Sequence, residues 1–87
     1  MNRSEIEREV RATLARLTEQ DASGIAADAD LGDALGLDSL GRLELLAEVE
    51  DRFDVLIEDV DMDKVATIEG IIDVAERTLA PADAGAA

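Results

Sequence analysis

The sequence predicts an all-α fold, a four-helix bundle of three main helices and one short helix with a long first loop. Three observations predict it. Apolar residues recur at helical spacing in three separate stretches. Phe53 is the single aromatic residue, so the Val/Tyr/Phe/Trp enrichment of strands is missing. A run of Asp, Gly and Ser divides the first stretch from the second.

The first helix is expected over residues 5–19. Ile6, Val10, Leu14 and Leu17 recur among Glu, Arg and Thr, and Ser4 with Glu7 three residues on has the form of a capping box. Over residues 20–38 the pattern breaks. Asp21, Ser23, Gly24, Asp28, Asp30, Gly32, Asp33 and Gly36 are turn formers, and Ile25, Leu31, Leu35 and Leu37 are spaced among them. That spacing predicts a long loop whose apolar residues pack onto the helices. Loops of this length in small domains tend to carry function.

The loop ends at Asp38, a good N-cap for a second helix over residues 39–53. Its expected apolar stripe is Leu40, Leu43, Leu46, Val49 and Phe53, with Glu44, Glu48 and Asp51 on another face. A single short helical turn is expected over residues 59–64, inside a very acidic segment. Thr67 then caps a last helix with Ile68, Ile71, Ile72, Ala75 and Leu79 inward, and Pro81 stops it. The domain is expected over residues 1–80, followed by a disordered small-residue tail, 81–87.

Composition excludes much chemistry. With no Cys there is no thiol nucleophile, disulfide or thiolate metal site, and with no His the commonest general base is gone. No catalytic residue and no metal ligand is assigned. The net charge of −14, from 22 acidic and 8 basic residues, argues against nucleic acid and against an anionic membrane surface, and would steer partners bearing basic patches. No apolar run approaches a membrane span, and residues 1–9 lack a signal-peptide core, so a soluble, cytoplasmic, monomeric protein is expected.

The segment Leu35-Gly36-Leu37-Asp38-Ser39-Leu40 places a hydroxyl at the first position of a helix, behind an acidic cap and a glycine turn. A helix start presents unpaired N–H groups and suits a phosphate. Taken alone, the segment reads as an ordinary cap. No histidine exists to make Ser39 a hydrolytic nucleophile.

L-G-L-D-S-L resembles the attachment motif of acyl carrier proteins. The resemblance continues through Glu44-Leu45, Glu48, Glu50, Phe53-Asp54, Ile57, Asp59, Lys64, Val65, Thr67, Ile72 and Asp73, without a gap from Asp28 to Ala75, and is to the discrete, type II form. It implies that Ser39 receives a 4′-phosphopantetheine arm from coenzyme A, whose thiol carries acyl groups as thioesters, and that Asp38 and Leu40 flank the site. It also implies a phosphopantetheinyl transferase and acyl-loading and acyl-processing enzymes with basic surfaces as partners. Glu44 and Glu48 match the docking acids by position. Leu46, Val49, Phe53, Ile57, Met62, Val65 and Ile71 match the lining of a sheltered space for the acyl chain, and equally an ordinary core.

The chain departs from the family pattern at Gly41, Ala47, Leu56, Glu58, Gly70 and Val74. A carrier dedicated to a polyketide or modified lipid is as consistent with these as a general fatty-acid carrier. A peptidyl or aminoacyl carrier would share the serine chemistry, but Leu37-Asp38 favours the acyl branch. Asp59-Val60-Asp61-Met62-Asp63 starts like a calcium loop, yet Lys64 and Gly70 stand where its glycine and glutamate belong. An unmodified acidic adaptor would explain the charge and not the Ser39 motif.

Overall fold

A computed structural model describes residues 2–57 and 62–79. Among them are four helices and no strand, so the all-α expectation holds. The first helix, α1, is Arg3–Thr18. Its cap is Asn2, whose side chain accepts from the Glu5 amide at 2.9 Å, rather than Ser4. The cap-plus-glutamate pattern is therefore present but two residues earlier, as Asn2 with Glu5, because asparagine caps as well as serine. Ile6, Val10 and Leu14 are buried, as their spacing predicts.

The long connection contains a helix that the sequence pattern hides: α2, Leu31–Leu35. Asp30 caps it by accepting from the Asp33 amide, and Gly36 closes it in the left-handed region. These turn formers bound a helix rather than merely interrupting one. Tertiary bonds hold the segment in place. The Leu31 amide donates to the Ala66 carbonyl at 2.8 Å, and the Glu69 amide to the Ala27 carbonyl at 2.9 Å. Arg11 reaches from α1 to the Ala22 and Ile25 carbonyls at 2.8 and 2.7 Å, with Glu7 on its Nε.

The third helix, α3, is Ser39–Phe53, with the predicted bounds and the predicted Asp38 cap. The fourth, α4, is Ile68–Leu79, and Thr67 Oγ1 accepts from the Gly70 amide at 3.0 Å, as a cap should. The short helix expected over 59–64 is corrected in part: residues 62–65 form turns, and the remainder lies outside the described residues. The short member of the bundle is α2 instead. Pro81 and the expected tail, 81–87, also lie outside them.

Gly70 looks like a helix penalty in the sequence, but the packing requires it. A Cβ there would stand 1.5 Å from the Lys64 carbonyl oxygen, so only glycine lets the preceding turn lie against α4. Helix α1 packs on both α3 and α4 around one core, in which Leu14, Leu31, Leu45, Val65, Ile68 and Ile71 have almost no exposure. Arg16–Glu48 and Arg52–Glu9 bridge α1 to α3, and Arg3 reaches Asp73 and Glu76 on α4. Among the described residues no helix is long and apolar enough to cross a membrane.

Candidate functional site

The start of α3 is built by three neighbouring residues. Leu37 is buried, and its amide donates to the Leu31 carbonyl, which fastens the chain between α2 and α3. Asp38 then caps α3: its Oδ1 accepts from the Gly41 amide at 2.8 Å, and its carbonyl accepts from the Arg42 amide at 2.9 Å. Gly41 lets these pieces close up, since a Cβ would come within 2.7 Å of Leu37 Cδ1 and 3.3 Å of Asp38 Oδ1. Two apparent helix penalties, Gly41 and Gly70, thus mark the two tightest approaches along the glycine positions of α3 and α4.

Ser39 follows as the first residue of α3 and is exposed. A group joined to its Oγ would extend into solvent without displacing the core, so the residues present fit a tethered arm. Leu40 beside it is 64% exposed.

The predicted stripe of α3 needs a correction. Leu40 and Leu43 are exposed, while Leu45 is fully buried with Leu46, Val49 and Phe53. The buried face runs through positions 45, 46, 49 and 53, and position 42 is its extension toward the helix start. Leu40, Leu43 and Ala47 fall on the outer side, so the stripe drawn through Leu40 and Leu43 is out of phase at its first two members.

Position 42 holds an arginine. Arg42 is half-buried, its Nη2 donates to Ser39 Oγ at 3.3 Å, and its Nε is buried with no partner among the described residues. Sequence reasoning missed it. The available signal was its place three residues after Ser39, a spacing at which side chains on a helix meet.

The two expected docking acids both lie on α3, but their surroundings differ. Glu44 is exposed. Glu48 is 38% exposed and faces Arg16 Nη2 at 3.3 Å across from α1. No sequence pattern signals Arg16 as its partner, because the contact joins separate helices. Leu17, Glu44, Ala47, Glu48 and Asp51 border a shallow cleft on this side.

The expected chain-sheltering residues come together. Leu46, Val49, Phe53, Val65 and Ile71 belong to one buried cluster, and Ile57 and Met62 pack against it partly buried. The Ile57 amide is held by Glu50 Oε2 at 2.7 Å. Of the acidic run that starts like a calcium loop, residues 59–61 lie outside the described residues.

Comparison with known proteins fits this geometry. The family model described as a phosphopantetheine attachment site matches residues 8–75. An acyl carrier protein from Exiguobacterium sp. is 35% identical over 79 residues, covering 91% of this chain and 100% of the relative. One from Thermotoga maritima is 32% identical, covering 90% and 96%. One from Streptomyces coelicolor is 40% identical over 72 residues, covering 82% and 75%.

Proposed function

This chain belongs to the acyl carrier protein family, and from that premise we propose that Ser39 bears the 4′-phosphopantetheine arm on which acyl intermediates travel between the enzymes of fatty-acid, polyketide or related lipid synthesis. The observation that carries the assignment is the exposed Ser39 hydroxyl at the head of α3, set by Asp38 and the buried Leu37.

The arm supplies a thiol for thioester formation, which a chain without cysteine cannot provide. The chain's own part is to present and to position. In attachment, a bond forms from Ser39 Oγ to phosphorus as the bond to the nucleotide half of coenzyme A breaks. The neighbouring carboxylate, Asp38, is engaged as the helix cap through the Gly41 amide, so the serine proton passes to a base that the transferase supplies. The protein is thus a carrier without a catalytic group of its own. Its partners are a phosphopantetheinyl transferase and acyl-handling enzymes with basic docking rims, and Leu40 and Glu44 meet them beside the serine. Glu48, Leu46, Val49, Phe53, Ile57, Met62, Val65 and Ile71 keep the docking and sheltering roles that the family resemblance implies. A cytoplasmic setting accords with these partners.

The test is intact mass after incubation with a broad-specificity phosphopantetheinyl transferase and coenzyme A. One arm should be added to the wild type and none to Ser39→Ala. An unchanged wild-type mass with several transferases, or undiminished labelling of Ser39→Ala, would refute the reading.

A further inference from the structure

Arg42 differs from the other arginines in holding a buried guanidinium nitrogen with no partner among the described residues. Arg3, Arg11, Arg16 and Arg52 are each held in an ion pair; Arg8, Arg77 and Arg42 are in none among the described residues, and of these three only Arg42 is half-buried rather than exposed. Among the described residues the one side-chain bond of Arg42 is the 3.3 Å contact from Nη2 to Ser39 Oγ, and its Nε is buried and unpartnered. A buried donor without a partner is costly, so the position calls for an explanation. Nε and Nη2 lie on one edge of the planar guanidinium, the edge with which arginine grips two oxygens of a single anion. One half of that fork already touches the hydroxyl, and the other half has no partner and is covered by the protein, so an anion reaches it once the guanidinium turns outward toward Ser39.

Electrostatics point the same way. The chain carries 22 acidic residues against 8 basic ones, and Asp38 directly precedes the serine. A phosphodiester on Ser39 adds another negative charge to this surface. Its two non-bridging oxygens hang from a phosphorus bonded to the very atom that Nη2 contacts. Esterification also removes the hydroxyl proton and leaves Oγ a poorer acceptor, so the charged oxygens become the better partners for the guanidinium.

We infer that Arg42 is a positioning residue that grips the phosphodiester after attachment, its Nη2 and Nε donating to the two non-bridging oxygens and so fixing the direction in which the arm leaves α3. This rests on Ser39 being the attachment residue. Arginine at a buried-face position of the first turn is otherwise a poor choice, since an apolar side chain would continue the stripe of Leu45, Leu46, Val49 and Phe53.

The experiment compares 15N-labelled protein before and after arm attachment with a transferase and coenzyme A. Hydrogen exchange at Arg42 Nε should slow by about tenfold on attachment, as a new charge-assisted bond requires. The 31P resonance of the holo protein should also differ between wild type and Arg42→Gln, with Arg42→Lys resembling the Gln variant because it keeps charge but loses the fork. A normal gain of mass with unchanged Nε exchange would overturn the role of Arg42 and leave the carrier reading standing. No gain of mass in the wild type would overturn both. Should the Arg42 variants fail to fold, the wild-type exchange comparison decides alone.

Discussion

The two ends of α3 are made from the same kinds of residue and put to opposite uses. Its first turns expose two leucines, Leu40 and Leu43, hold a glycine at 41 and half-bury an arginine at 42 whose Nε has no partner among the described residues. Its later turns bury Leu45, Leu46, Val49 and Phe53, and place Glu48 and Arg52 in bridges to α1. Leucine at 45 stabilises the bundle by hydrophobic burial, while leucine at 40 or 43 contributes little to folding where it stands. The difference teaches that identity alone does not assign a role to a residue on this helix. Phase does. One end is held by the core, and the other is held by a cap, which leaves its outer side chains available to partners.

The contrast is sharpest when each end is damaged by one substitution. Ser39→Ala should abolish arm attachment and leave the melting temperature almost unchanged, because the residue is exposed and Asp38 supplies the cap. Leu45→Ala should do the reverse, costing about 2–5 kcal/mol of stability while the fraction that remains folded still accepts the arm. Equal loss of attachment per folded molecule in both variants would erase the distinction between the two ends.

Charge provides a finer test within the same helix. Glu44→Lys should slow attachment several-fold at low salt, and high salt should remove most of that effect by screening the encounter. Glu48→Lys should slow it less, since Arg16 already offsets the Glu48 charge, and should lower stability by setting a lysine against Arg16. Attachment rates that fall equally in the two variants would show that the Arg16 contact does not distinguish these acids.

The smallest effect belongs to the bridges at the stable end. Arg52 is raised from its ordinary pKa mainly by its hydrogen bond with Glu9, yet both partners meet solvent. Glu9→Gln should therefore barely move the melting temperature, because solvent-exposed pairs are well screened. A large loss would mean that the later turns of α3 depend on charge as well as on packing.

The cap and bounds of α3 were legible in the sequence because the information is local: Asp38 before Ser39, then a long apolar register. The stripe was drawn through the wrong leucines at its start, since Leu40 and Leu43 fit a helical spacing as well as Leu45 does, and only the position of the core selects between them. Helix α2 was invisible for a related reason. Five residues with caps of Asp and Gly resemble a turn-rich loop, and what secures them is bonding to residues some 35 to 42 positions away in sequence, as Leu31 to Ala66 and Glu69 to Ala27 show. The location of the candidate site was readable from the Ser39 motif. Arg42 and Arg16 were not, because their meaning comes from burial and from a neighbouring helix.

Those same two backbone bonds bear on the order in which the chain acquires its shape. Both join the stretch ahead of α3 to the entrance of α4, so neither can form until residues 66–69 have been made and have folded back. Bringing together segments so far apart carries a loop-closure cost that local helices avoid. Helices α1 and α3 can therefore gather early, while the platform leading to Ser39 sets only when α4 docks. The arm would then be added to a finished molecule rather than to a growing one. Amide hydrogen exchange at Leu31 and Glu69 should report a single shared opening, and markedly different protection at the two amides would show that the platform sets piecemeal.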